Sequence, residues 1–495
     1  MKTGFRQSMA WLHVWAGLVA GWVLFAVFLT GTASYYREEI SAWMRPELRP
    51  SLVQDAALAR GLAHLRAVAP TARTWLIEMP VPRDRVLRLA WSHRAGPGGY
   101  TSVQLPLPGQ PEPRRTRGGD IFYYFHFDLF LPLDLGRWLV SLAAMTMLVA
   151  IITGVVIHRR IFADFFTFRP RKAAQRAWLD AHNLLGVLAL PYHLMITYTG
   201  LVTFALLLLP WGIDLGYGGD RRPFLAAIYG QDPPAAAVPP PRAAMAPLEP
   251  MLAAARQAWD GGAPGRITIT EPDAAGARVQ VARSETDRLS VAREFLLFDG
   301  ATGQRLAVRE PGGPLERVWG AAYGLHLARF AEPGLRLLFV LSGVLGTGMV
   351  ATGLLLWAAR RRRHVPGFGA RLVDVLNVAT IAGLPVGMLA LFWANRLLPL
   401  DLPARALWEA RCFLIAWLLM LIHAALRPRG RAWGEQFLLA SCLCAALPLV
   451  NAWTTDTSLL ASLRRGDGVL AGFDMALLVL ALPFAALGWR QARQG

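Results

Sequence analysis

Runs of about 20 apolar residues, long enough as helices to cross the hydrocarbon of a bilayer, dominate this chain. Eight are legible, at about 11–36, 135–158, 182–210, 335–359, 372–395, 411–427, 435–453 and 470–489. With 54% hydrophobic residues and a mean hydropathy of +0.36, a 495-residue chain has too little polar surface for a soluble globule. The expected fold class is a mainly α membrane protein of about eight transmembrane helices.

Basic residues set the orientation. Lys2 and Arg6, the group Arg159, Arg160, Arg169, Arg171, Lys172 and Arg176, then Arg360 to Arg363, Arg427, Arg429 and Arg431, and finally Arg490 and Arg493 fall on one side if the spans alternate. By the positive-inside rule that side is the cytoplasm, so both termini are expected there. Because so much of the net charge of +18 lies at membrane flanks, it calls for no nucleic-acid partner. The first span resembles a signal peptide in its small residues Gly31-Thr32-Ala33-Ser34, but it exceeds the usual apolar core of about 7–15 residues and is expected to be retained. Cys412, Cys442 and Cys444 all fall in spans and cannot staple an external domain. They read as small buried residues.

The third span carries the most informative stretch, Ala181 to Gly200, with His182 at its edge and His193 inside. On an unbroken helix, eleven residues return to within about 20° and rise about 16 Å, giving two imidazoles on one face at two depths. Ionisable rings at membrane depth are functional-site candidates by default. The start of the chain repeats this pattern: His13-x-x-x-Gly17 with Thr30-Gly31 matches His182-x-x-x-Gly186 with Thr199-Gly200. A second half repeats too, His126 preceding Thr153-Gly154 and His326 preceding Thr352-Gly353. A duplicated helical core follows, its copies related by an axis along the membrane normal.

This reading divides the chain into a first span (1–36), an external domain (37–134), spans two and three (135–210), an external linker and second domain (211–334), span four (335–365) and a four-helix membrane module (366–495). Each external segment reads as a small α+β unit. The first has a helix at Ala56 to Val68 and strands at Thr74 to Met79, Val86 to Trp91 and Thr101 to Leu105. The second has a Pro- and Ala-rich linker from Asp232 to Pro250, a helix at Leu248 to Trp259, strands at Arg266 to Thr270, Ala277 to Ala282 and Arg293 to Phe298, and a turn at Asp299 to Gly303. Aromatic collars at Ile121 to Phe130 and Trp319 to His326 suit the membrane interface.

Of the ten histidines, His64 and His93 read as solvated or structural, and His158, His364 and His423 as interfacial side chains at span ends. His13, His126, His182 and His326 form the repeat-matched set. A repeat axis through the bundle would bring His13 opposite His182 and His126 opposite His326, as two six-coordinate haem irons require; the bland alternative is packing or hydrogen bonding. No Cys-x-x-Cys-His occurs, so such a haem is not the covalent c type. Bare zinc or copper wants three or four clustered ligands, and these histidines stand one per helix. His193, whose counterpart is Leu24, is a replacement ligand, a group between two haems or a satisfied buried histidine. Gly343, Gly346 and Gly348 imitate a phosphate loop but sit inside a span, where small residues serve helix packing.

Taken in order, Trp11-Leu-His13-x-x-x-Gly17, Thr30-Gly31, Tyr36-Arg-Glu-Glu-Ile40, Asp180-x-His182-Asn-x-x-Gly186, Leu190-Pro-Tyr-His193 and Thr352-Gly353-x-x-x-Trp357 resemble the PepSY-associated transmembrane family over about residues 1–365. The resemblance implies two periplasmic PepSY-like units on a helical bundle, two b-type haems, and a place in the bacterial inner membrane. His13, His126, His182 and His326 fall on the family's recurrent histidines and His193 on one found in its long form. Some members reduce iron–siderophore complexes, so the implied activity is electron transfer to a periplasmic ferric chelate. With no flavin or nicotinamide motif, the donor would be a quinol or a partner protein. Rival classes are a sensor or protease-regulatory protein that binds through its PepSY-like units, and a permease for iron or a chelate.

Overall fold

The computed structural model describes residues 4–49, 54–81, 83–92, 99–132, 134–158, 174–220, 223–224, 241–361 and 367–493. The expectations for Lys2, His93, the arginines and lysine of 159–172, the first part of the Asp232 to Pro250 linker, Arg362, Arg363 and His364 lie outside the described residues. The chain forms two compact units: Met1–Pro46, Arg114–Phe204 and Pro333–Gly495 in one, Glu47–Pro113 and Ala205–Glu332 in the other.

The first unit is helical. Its members are α1 (Phe5–Ser34), α2 (Arg37–Trp43), α4 (Asp120–Asp128), α5 (Leu135–Ile157), α6 (Ala174–Leu188), α7 (Leu190–Thr203), α12 (Pro333–Arg361), α13 (Phe368–Ile381), α14 (Gly383–Leu397), α15 (Arg405–Leu426), α16 (Arg429–Thr454), α17 (Leu459–Arg464) and α18 (Gly468–Ala492). Among the described residues, seven helices, counting α13 and α14 as one, are long and apolar enough to cross a membrane, and a bent pair raises the number to eight. That pair corrects the straight third span. Around Ala189 (φ −112°, ψ 22°) the chain turns by 70° between α6 and α7, and Pro191 sits in the first turn of α7, where its missing N–H costs nothing. The 16 Å separation of His182 and His193 therefore does not hold.

Close approach of α1 and α12 follows from small residues. A Cβ on Gly343 would stand 2.2 Å from Thr32 Oγ1, and one on Gly346 would stand 2.6 Å from the Phe28 ring. The last four spans are joined to this core by buried polar groups. Trp43 Nε1 donates to Asp474 Oδ1 at 2.8 Å, Asn451 Nδ2 to Asp474 Oδ2 at 3.1 Å, and Arg396 Nε to Asn451 Oδ1 at 2.8 Å. The Arg396 guanidinium also donates to the Trp43 carbonyl at 2.6 Å and lies 3.6 Å from the centre of its ring. Next to it Arg405 pairs with Glu409, which accepts from Asn395 Nδ2 at 2.8 Å and from Thr116. Two arginines and two carboxylates leave this buried network formally neutral.

The second unit is built on a sheet. Its helices are α3 (Gln54–Val68), α8 (Ala205–Leu208), α9 (Trp211–Tyr217), α10 (Leu248–Ala258) and α11 (Pro314–Leu327). Its strands are β1 (Thr74–Glu78), β2 (Val86–Ser92), β3 (Tyr100–Pro106), β4 (Pro264–Thr270), β5 (Arg278–Arg283), β6 (Phe295–Asp299) and β7 (Arg305–Arg309). The two segments expected as separate domains share one antiparallel sheet of order β3-β2-β1-β4-β5-β6-β7. The join is β1 against β4, with Trp75 opposite Ile269, Ile77 opposite Ile267, and Glu78 opposite Arg266 in an ion pair of 3.0 Å. Period-two alternation puts Trp75, Ile77, Leu87, Leu89, Val279 and Val281 on one face, fully buried under α3 and α10. Each half is a helix followed by a meander of strands.

Candidate functional site

His13 sits on α1 and its ring leans on α5. Nδ1 lies 2.9 Å from the Ala150 carbonyl and 3.1 Å from Thr153 Oγ1, whose hydroxyl bonds back to the Val149 carbonyl at 2.7 Å. A carbonyl only accepts, so Nδ1 carries the proton and, in the neutral ring, the lone pair is left on Nε2. The threonine–glycine pair has a physical role: a Cβ on Gly154 would come within 3.3 Å of His13 Cε1, so hydrogen in its place gives the ring room.

His182 on α6 repeats this arrangement against α12. Its Nδ1 lies 2.8 Å from the Met349 carbonyl and 3.5 Å from Thr352 Oγ1, and a Cβ on Gly353 would stand 3.1 Å from its Cε1. The two imidazoles meet with ring centres 6.2 Å apart and planes at 73°. Ligation of one metal by both Nε2 atoms, at about 2 Å per bond, sets ring centres about 6 Å apart, which is the separation of this pair. Among the described residues no group of three or more His, Cys, Asp or Glu side chains is placed to hold a bare metal ion. Two imidazoles alone suit a metal whose remaining donors come from a macrocycle.

A cavity is lined by both rings together with His158, Asn183, His193 and Met349 among others. His193, carried round by the bend onto α7, is 1% exposed. Its Nε2 reaches the Leu185 carbonyl at 3.4 Å, its ring stands edge-on to Phe28 at 6.1 Å, and its Nδ1 has no partner among the described residues.

His126 lies on the short helix α4, within the aromatic collar, and its Nδ1 lies 2.8 Å from the Val27 carbonyl of α1. Gly31 makes this contact possible, since a Cβ there would stand 2.6 Å from both Cε1 and Nδ1 of the ring. His326 is half-buried near the end of α11 and belongs to the sheet-bearing unit. Of the five sequence-predicted histidines, the structure thus brings His13, His182 and His193 to one cavity and seats His126 on α1.

Sequence reasoning missed His158, the C-terminal cap of α5, which lines the same cavity. Its signal was spacing: it follows Gly154 by one helical turn, and Gly154 faces His13. The basic residues after it made it read as interfacial.

Comparison with known proteins gives two findings. The sequence profile described as the PepSY-associated TM region matches residues 10–360. An uncharacterized protein of Pseudomonas aeruginosa is 28% identical over 393 residues, 76% of this chain and 95% of that protein.

Proposed function

The chain belongs to the PepSY-associated transmembrane family, and on that basis we propose that it is a di-haem b membrane reductase that passes electrons across the bacterial inner membrane to ferric chelates such as siderophore-bound iron. The observation that carries this reading is the opposed pair His13 and His182, with both Nδ1 atoms on backbone carbonyls and ring centres 6.2 Å apart. Matched anchoring of the two rings also supports descent of the core from a duplicated unit.

In this reading His13 and His182 would hold one haem, and His126 and His326, as the family resemblance implies, would each serve as a ligand to haem. Bound haem supplies a one-electron couple. The chain's part is to fix the ring orientations through the carbonyls of Ala150, Met349 and Val27, which accept from each Nδ1 and so set the tautomer and raise the basicity of Nε2. Phe122, Phe125 and the other collar rings around His126 exclude water from that end. Both termini lie in the cytoplasm and the sheet-bearing unit in the periplasm. The electron donor is a quinol or a partner protein. Reduction of Fe(III) to Fe(II) loosens a hard-oxygen chelate and releases iron outside.

Purification from the membrane tests this. The expected protein is coloured, with a Soret band that shifts on reduction by dithionite and is restored by a ferric siderophore. His182→Ala should remove one haem equivalent of two. A colourless protein, or unchanged stoichiometry in that variant, overturns the proposal and favours a sensor or permease.

A further inference from the structure

Besides His13 and His182, the cavity's polar lining includes His158, Asn183 and His193. His158 and Asn183 contribute side chains that can donate hydrogen bonds, while Ile151, Val155, Val187 and Leu190 supply apolar walls. Arg6 adds positive charge at the same helix end: its Nε donates at 3.0 Å to the carbonyl of Ile157, the residue before His158. His193 is the other polar side chain on the lining, and its ring is closed in by Phe28 and Gly346. The lining therefore suits a flat ligand with an apolar body and anionic groups along one edge. Carboxylates taken out of water need donors or cations, and charge-assisted bonds are the strong ones.

We propose that His158 and Asn183 hold the carboxylate edge of a tetrapyrrole gripped between His13 and His182, with Arg6 adding positive charge at that end. The proposal rests on the haem reading of the histidine pair and adds an orientation to it. Ligand recognition is then divided. The imidazoles recognise the metal, and the end of α5 recognises the carboxylates.

Full-length haem-free protein in detergent, titrated with haemin and with haemin dimethyl ester, separates the two contributions, because esterification removes the carboxylate charge and leaves the metal and ring unchanged. Wild type should bind haemin about 10-fold or more tightly than the diester. His158→Ala and Asn183→Ala should each cut that preference to about threefold, while diester affinity and the bis-imidazole spectrum stay as in wild type. That retained affinity shows that the cavity has folded. His158→Gln, which keeps a donor, should preserve more of the preference than His158→Ala. Equal wild-type affinity for both porphyrins overturns the proposal, as does a preference that survives both alanine variants or is abolished only by His193→Leu. Failure of wild type to bind either porphyrin with a bis-imidazole spectrum overturns the haem reading as well, which distinguishes the two failures.

Discussion

Gly31→Ala tests the seat of His126 with one added methyl. A Cβ at Gly31 would stand 2.6 Å from both Cε1 and Nδ1 of His126, against about 3.5 Å for ordinary carbon contact. The ring must retreat by about 1 Å, and the 2.8 Å bond from Nδ1 to the Val27 carbonyl then opens to about 3.5 Å or more, beyond useful reach. Losing that bond inside an apolar bundle costs about 1–3 kcal/mol, while Ala for Gly in the last turn of α1 returns less than the roughly 1 kcal/mol of a helix interior. The expected net effect is a destabilisation of about 1 kcal/mol, with a displaced imidazole. Gly154→Ala is the control of identical chemistry. There the Cβ would lie 3.3 Å from His13 Cε1 and 3.7 Å from Nδ1, a tight contact relieved by a few tenths of an ångström, so its stability should stay within about 0.5 kcal/mol of wild type. Thermal unfolding in detergent separates them: Gly31→Ala should melt earlier and Gly154→Ala should not, and under the proposal that His126 is a haem ligand, only Gly31→Ala should turn one haem equivalent high-spin in the reduced-minus-oxidised spectrum. A Gly31→Ala protein as stable and as low-spin as Gly154→Ala would show that His126 does not sit on α1 at Val27.

Two further outcomes follow from polar groups elsewhere. Arg396→Met removes one cation from the buried network, breaks its bond to Asn451 and leaves the Asp474 charge uncompensated, so it should lower stability by about 3–5 kcal/mol; Arg396→Met with Asp474→Leu should recover part of that, and an additive double-variant cycle measured by unfolding would refute the coupling. In the sheet-bearing unit, the backbone amides of Thr302 and Ala301 hold the Asp299 carboxyl below its ordinary range. The turn's stabilisation is therefore complete above the unfolded carboxyl value and is lost as pH falls through the folded one. Asp299→Asn should show less acid-dependent change in hydrogen exchange at Ala301 and Thr302 than wild type, and an identical pH profile would refute the assignment.

Much of the site was legible because its chemistry is local. Thr153-Gly154 and Thr352-Gly353 recur since each supplies a hydroxyl and an absent side chain to one imidazole, three residues after the Ala150 or Met349 whose carbonyl takes its Nδ1 proton, and that demand leaves a spaced signature. Strands β1, β2, β4, β5 and β6 were legible for a similar reason, each alternating a buried and a less buried face. Strand β7 escaped notice because it is an exposed edge whose residues Arg305 to Ala307 and Val308 face water, so no burial pattern marks it. The union of both segments in one sheet was equally invisible: Trp75 pairs with Ile269 across almost 200 residues, and alternation specifies a face, never a partner. The bend around Ala189 left only Pro191 as a trace, and a proline in an apolar run is as compatible with a continuous span as with a broken one. The polar residues Arg396, Arg405, Glu409 and Asp474 were scattered through or beside three apolar runs, and only packing reveals that they share one neutral cluster.

His193 departs from the matched pattern, and its cost gives it meaning. At the matching place in the first copy the chain has Leu24, buried at 5% exposure, so an aliphatic side chain satisfies the packing of that position in a helix of this kind. An imidazole there, 1% exposed with Nδ1 unpartnered and Nε2 only 3.4 Å from a carbonyl, bears a desolvation penalty of about 1–3 kcal/mol that leucine would not. His193→Leu should therefore raise the stability of haem-free protein by about 1–2 kcal/mol, seen as a higher midpoint in thermal or denaturant unfolding. If the ring is kept for what it does beside His182, the same variant should transfer electrons to a ferric chelate more slowly than wild type. A site held at the expense of stability has that opposed pair of effects. A His193→Leu protein that unfolds more easily would refute the reasoning, because it would mean that the imidazole is already satisfied in the haem-free fold and that its place on the cavity wall is structural.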